Sequence, residues 1–240
     1  MSTTLKITKM LAPSSKYSIK CPYKMTPKYV VIHNTANNAS AMAEVSYMIG
    51  NSSQVSFHYA VDDTRAVQGI PANRNAWHAG DGAKGEGNRY GIAIEICYSK
   101  SGGAKFTKAQ QNAALLAAKL LKQKGWGISR LKKHQDFSGK YCPHRTLQDF
   151  GWSNFKALVK RYLDELNGVN TFKAYKVKVL VPALNIRKTP VWKASDVVGQ
   201  ILDEGIYTIT AEKTVDGTKF GKLKSGAGWI SLGSSYVKKV

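Results

Sequence analysis

Tyr29-Val30-Val31-Ile32-His33-Asn34 and Gly91-Ile92-Ala93-Ile94-Glu95-Ile96-Cys97 decide the fold of this chain. Both are short apolar runs, and each reads as a buried strand. In the second, alternation places Ile92, Ile94 and Ile96 on one face and Ala93, Glu95 and Cys97 on the other. That phase leaves Glu95 facing either a pocket or water. The first run ends on His33, at a strand end, where a rigid platform aims a side chain at a cleft.

Outward from these strands, Ser40 caps a helix expected to reach Met48 and to stop at Gly50. Val55 to Val61 alternates as a strand, and Asp62-Asp63-Thr64 turns it into a second strand, Ala66 to Ile70. Pro71 to Asn88 is a long Gly- and Asn-rich loop of the kind that is usually functional. Thr107 to Gln110 has capping-box spacing, and Ala113 to Leu121 continues it as an amphipathic helix. Phe155, Leu158, Val159, Tyr162 and Leu166 predict a last helix over 153–166. Central strands with flanking helices imply an α/β domain over residues 1–168.

From Phe172 the pattern changes to short strands split by turns, at 175–180, 197–202, 206–212, 219–224 and 227–231. Residues 172–240 are therefore expected to form a small all-β barrel, with Asn167 to Thr171 as the linker. No stretch approaches a membrane span. Met1 to Lys28 is polar and basic without an apolar core, so no secretory signal is expected.

The formal net charge is +21. Residues 1–168 carry 24 of the basic and 10 of the acidic side chains, so no single tail explains it. Such a balance calls for a polyanionic partner. Nucleic acid is one candidate, but no helix-turn-helix, basic zipper or RNP motif is present. A bacterial wall, with teichoic acids and peptidoglycan carboxylates, is another.

Three cysteines do not make a disulfide framework. Cys97 fits a buried thiol, whereas Cys142 sits in a loop beside Pro143. The run Lys133-His134-Gln135-Asp136-Phe137-Ser138-Gly139-Lys140-Tyr141-Cys142-Pro143 places a His and a Cys around a turn. With His33, these residues suit a zinc site that has three protein ligands and a fourth position for water. A partly buried Glu95 would serve as the base that such a water needs. Lys140 is either an exposed loop lysine or a cation beside the metal that stabilises an oxyanion. His58 reads as core packing. Trp77 and His78 are suited to a substrate wall, and Thr35 and Arg89 to polar substrate groups.

Val31-Ile-His33-Asn-Thr35, Ser56-Phe-His58-Tyr, Ala76-Trp-His78-Ala-Gly80, Gly91-Ile-Ala-Ile-Glu95 and His134 to Pro143 together resemble zinc-dependent N-acetylmuramoyl-L-alanine amidases. These are type 2 amidases of the peptidoglycan-recognition-protein fold, common in phage endolysins. The resemblance covers about residues 25–165 and implies a central mixed β-sheet flanked by helices. It implies Zn2+ held by His33, His134 and Cys142, with Glu95 as catalytic base and Lys140 assisting. Some relatives have Tyr where this chain has Phe57 and lack the strand Glu, a departure that leaves Glu95 as the base. The candidate substrate contacts are Thr35, Phe57, Trp77 and His78.

Ala183-Leu-Asn-Ile-Arg187-Lys-Thr-Pro190 and Gly228-Trp229-Ile230 resemble bacterial SH3-like wall-binding domains, with Trp229 read as core. The implied protein is a phage endolysin that acts on peptidoglycan after release through holin lesions. A non-catalytic peptidoglycan receptor and a host autolysin are the alternatives.

Overall fold

The structure, a computed structural model, describes residues 4–169 and 172–240. The chain divides into two compact units, Met1–Val169 and Asn170–Val240, each described by itself. The expected linker, 167–171, lies partly outside the described residues.

In chain order the first unit contains β1 (Lys6–Lys9), α1 (Tyr17–Lys20), β2 (Tyr29–Asn34), α2 (Ala41–Gly50), β3 (Tyr59–Val61) and β4 (Arg65–Gln68). It continues with α3 (Glu86–Tyr90), β5 (Gly91–Ile96), α4 (Gly103–Gln123), β6 (Leu131–Lys133), α5 (Gln135–Ser138) and α6 (Trp152–Leu166). Its strands form one six-stranded sheet in the order β1-β4-β3-β5-β2-β6. Only β3 and β4 pair antiparallel, so the sheet is mixed.

The two faces of β5 bury different cores. Ile92, Ile94 and Ile96 join Val30 and Ile32 under α4 and α6. Ala93 and Cys97 pack with Ala41, Val45 and Met48 of α2 on the other face. The alternation read from the sequence is therefore the division between two hydrophobic layers.

Several local expectations change. The strand expected over 55–61 forms only at Tyr59–Val61. Before it, the Ser56 amide donates to the Trp77 carbonyl and the Ser56 hydroxyl to the Lys20 carbonyl, so these groups bond loops instead of a neighbouring strand. The helix expected from Thr107 starts at Gly103, after Gly102 with φ +68°. Thr107 does not cap it; its hydroxyl donates to the Gly103 carbonyl inside the first turn. The turn between His134 and Cys142 holds the short helix α5, which ends at Gly139 with φ +75°. The long loop closes on α3 from Glu86, before its expected end at Asn88.

The basic N-terminal stretch, to which the sequence assigns no role, forms β1, parallel to β4 at the sheet edge. It also carries Lys20, whose side chain is fully buried. The Lys20 ammonium donates to Asn51 Oδ1 at 2.8 Å, to the Val55 carbonyl at 3.2 Å and to the Ser53 carbonyl. This fastens the segment after α2 to the N-terminal arm. No helix among the described residues is long and apolar enough to cross a membrane.

The second unit contains β7 (Tyr175–Val179), β8 (Leu184–Arg187), β9 (Val197–Ile201), β10 (Ile206–Val215), β11 (Thr218–Leu223), β12 (Trp229–Ser231) and β13 (Val237–Lys239). They form a seven-stranded antiparallel sheet, β13-β7-β10-β11-β12-β8-β9, around Val177, Val179, Ile209, Leu223 and Ile230. The strands β8 and β13 are additions to the sequence reading. Trp229, read as core, is half-buried on β12 opposite Arg187.

Lys20→Met keeps the stem but leaves buried acceptors without a donor, and it is expected to destabilise the first unit by about 1–3 kcal/mol. Urea denaturation of the variant checks this; an unchanged midpoint would remove Lys20 from the framework.

Candidate functional site

The site lies at the carboxyl ends of the parallel strands β2, β5 and β6, where open α/β sheets place their ligands. His33 and Glu95 are register partners on β2 and β5 and so face the same way. His134 follows β6, its amide bonded to the Ile32 carbonyl at 3.2 Å. Cys142 is carried back by the turn after α5, where its carbonyl accepts from the Gln135 amide at 3.1 Å. Asn34, directly after His33, accepts at Oδ1 from the amides of Arg145 and Thr146, at 3.0 and 3.1 Å. That residue ties the chain beyond Cys142 to the end of β2.

One donor atom each of His33, His134 and Cys142 lies within 4.8 Å of the others. The Nδ1 atoms of His33 and His134 are 3.0 Å apart, and Cys142 Sγ is 3.9 Å from His33 Nδ1. A tetrahedral centre with two nitrogens and one sulfur separates its donors by roughly 3.3–3.6 Å. All three side chains are buried.

Burial holds His33 well below its ordinary pKa, with further lowering from the His78, His134 and Lys140 charges. Burial also lowers His134, and Lys140 adds to it. Both rings are thus neutral and present lone pairs, as ligation requires. Burial pushes the Cys142 thiol up to about 11, so its thiolate needs a cation beside it. The donor set fits a borderline-soft divalent metal.

His78 supports this group from behind. Its Nδ1 is 3.0 Å from His33 Nε2. With His33 Nε2–H donating to His78, the His33 Nδ1 lone pair is left for the centre. His78 is placed in turn by Asn88, whose Oδ1 accepts from the His78 and Ala79 amides at 2.7 and 2.8 Å. Asp81 then accepts from the Gly87 and Asn88 amides at 2.6 and 3.2 Å.

Glu95 Oε1 is 3.9 Å from His33 Nδ1, and Glu95 Oε2 is buried without a hydrogen-bond partner among the described residues. Burial raises this carboxyl to about 8; Glu44 adds to the rise and Lys140 opposes it. A carboxyl in this state is suited to accept and return a proton near neutral pH. Lys140 is exposed on the turn, with its charge felt at His33, His134, Glu95 and Cys142.

Two cavities meet at these residues. One, of about 520 Å³, is lined by His33, Trp77, His78, His134 and Cys142. The other, of about 390 Å³, is lined by Thr35, Glu44 and Phe57. Glu95 and Lys140 line both. The four residues expected as substrate contacts therefore split between two compartments. Trp77 donates its Nε1–H to the Ile19 carbonyl at 3.0 Å, which fixes the indole against the N-terminal arm.

Arg89 lines neither cavity and instead lies over the Tyr23 ring, 4.1 Å from its centroid. His58 is core, as its alternating strand suggested. Its Nδ1 accepts from the Ala93 amide at 3.0 Å, its Nε2 is 2.9 Å from the Arg74 carbonyl, and burial lowers it to about 4. Asn34, Asp81, Asn88 and Glu44 escaped the sequence reading. Only Asn34 carried a signal, its place directly after a strand-end histidine.

Residues 23–145 match the family model described as N-acetylmuramoyl-L-alanine amidase. The chain is 51% identical to N-acetylmuramoyl-L-alanine amidase XlyB of Bacillus subtilis (strain 168), over 77% of this chain and 57% of that protein. It is 51% identical to N-acetylmuramoyl-L-alanine amidase CwlA of the same strain, over 77% of this chain and 68% of that protein. The solved structure of PlyL superposes with a TM-score of 0.63 at 51% identity, covering 65% of this chain and 98% of PlyL.

His78→Phe keeps the ring volume but removes the acceptor behind His33, and it is expected to weaken divalent-metal retention roughly 10–100-fold. Competition against a chromophoric chelator measures this. Wild-type retention in the folded variant would place His78 outside the support of the centre.

Proposed function

The chain belongs to the N-acetylmuramoyl-L-alanine amidase family, and from that premise we propose that it is a Zn2+-dependent peptidoglycan hydrolase. The bond cut joins the lactyl carbonyl of N-acetylmuramic acid to L-alanine of the stem peptide. The observation that carries this reading is the convergence of His33, His134 and Cys142 beside the unpartnered Glu95 carboxylate.

His33 Nδ1, His134 Nδ1 and Cys142 Sγ are the atoms that would hold the metal. When bound, Zn2+ supplies a Lewis acid for the carbonyl and lowers the pKa of water towards ~7. Glu95 takes the proton from the attacking water as its oxygen adds to the lactyl carbon. The same carboxyl then delivers that proton to the departing L-alanine nitrogen as the C–N bond breaks. Lys140 offers its ammonium to the carbonyl oxygen, where negative charge develops. Trp77 and His78 line the compartment on the metal side, and Thr35 and Phe57 the adjoining one. The glycan and the stem peptide would divide between these two compartments.

The Asn170–Val240 unit is read as an SH3-like wall-binding module that raises the enzyme's effective concentration on its substrate. The net charge of +21 favours a wall rich in polyanions. An endolysin that reaches the wall after holin-type release fits two such modules in one chain.

Mass analysis of digested peptidoglycan tests the reaction. New N-termini on L-alanine are expected; new reducing ends or cleaved cross-bridges would overturn it. Chelation is expected to abolish wall clearing, and Zn2+ to restore it. Glu95→Gln is expected to keep its zinc while turnover of soluble muropeptides falls about 10²–10⁴-fold. Near-wild-type turnover with metal bound would remove Glu95 as the base.

A further inference from the structure

In the second unit, Ala183, Leu184, Asn185, Arg187, Trp192, Ser231 and Tyr236 enclose a cavity of about 110 Å³. Arg187 is only 6% exposed. Its Cζ lies 4.5 Å from the centroid of the Trp192 ring, and its Nη1 donates to the Lys193 carbonyl at 3.0 Å. Among the described residues no carboxylate lies within 4 Å of this guanidinium. The nearby Asp196 is engaged elsewhere, its Oδ2 accepting from the Thr189 amide at 2.6 Å and hydroxyl at 2.5 Å.

Asp196 feels the Arg187 charge from beyond 4 Å, but a buried cation with no carboxylate in contact is expensive to keep, and a guanidinium presents a planar fork of N–H donors that matches an oxyanion. Trp192 is 51% exposed, and its ring stands beside Tyr236 at 6.5 Å between centroids. An aromatic wall thus borders the charge. Lys188 and Lys193, both exposed, flank Arg187 and Trp192 in sequence and leave the stretch net positive although the Asp196 carboxylate sits on Thr189. Backbone rigidity supports the site: Gly228 packs so closely on β8 that an added Cβ would lie 2.4 Å from the Arg187 carbonyl oxygen.

We propose that this cavity is an oxyanion-binding site, in which Arg187 receives a compact carboxylate or phosphate carried by a wall polymer beside the Trp192 ring. That the oxyanion comes from the wall rests on the reading of the second unit as a wall-binding module; the site itself does not.

The test follows the Arg187 Nε–Hε NMR signal of the full chain, assigned through bonds, during titration with inorganic phosphate and with acetate. A saturable shift, absent with sodium chloride at equal ionic strength, is expected. No saturable shift with either anion would overturn the site, and this measurement needs no variant. Arg187→Lys keeps the charge but loses the fork, and it is expected to weaken phosphate or acetate binding roughly tenfold. Retention of the full chain on purified walls is expected to fall with it. Walls stripped of phosphate polymers and walls with amidated carboxyls distinguish the sources: the treatment that lowers wild-type retention names the group. A saturating Arg187 signal with unchanged retention of Arg187→Lys on every wall would overturn the wall as source and leave the anion site standing.

Discussion

The register between β2 and β5 is the constraint on which the rest of the first unit depends. Because His33 sits directly across from Glu95, an imidazole and a carboxylate share one face of a sheet buried on both sides. A slip of one strand by one residue would turn its member of the pair into the isoleucine layer and separate the two. Burial then acts on the two groups in opposite chemical senses. It strips the proton from His33 and holds one on Glu95 up to about pH 8, so a lone-pair donor and a group that exchanges a proton near neutral pH stand 3.9 Å apart.

Around that pair the chain is organised to hold side chains still. His134 and Cys142 arrive from one short helix and its turn, and Asn34 fastens the following segment to the end of β2. The line from Asp81 through Asn88 and His78 to His33 runs by hydrogen bonds from the irregular loop through the short helix α3 to the end of β2. Polar side chains and backbone amides thus fix the loop, alongside the buried Ala76 and Ala79. That explains why so glycine-rich a segment can support a rigid centre.

The same distinction decides what the sequence made legible. Apolar alternation in 91–97 separates the isoleucine face from the Ala93, Glu95 and Cys97 face but leaves open that the second face is also core, and strand-end placement singles out His33. The long helices were visible through their spacing, although Gly102 and Gly103 opened α4 earlier than the Thr107 pattern suggested. Features that depend on long-range polar contacts were not visible. Lys20 reads as one lysine among many, and β1 as part of a polar, basic stretch without a role, because neither the burial of the one nor the parallel pairing of the other leaves a local signature. His78 read as a wall residue; its bond to His33 spans 45 positions. Arg187 reads only as part of a motif, since its burial with no carboxylate within 4 Å among the described residues is a property of three-dimensional neighbours.

The clamp made by Lys20 has a bearing on how this protein can be cut and recombined. The family match begins at residue 23, yet the ammonium that fastens 51–55 and the carbonyl that fixes Ser56 both lie upstream of it. A chimaera spliced at the family boundary would keep His33, His134, Cys142 and Glu95 and discard the brace behind Trp77. Exchange of this unit between such proteins is therefore best made ahead of Leu5, which packs in the core just before β1, so that the whole scaffold of the cleft stays on one side.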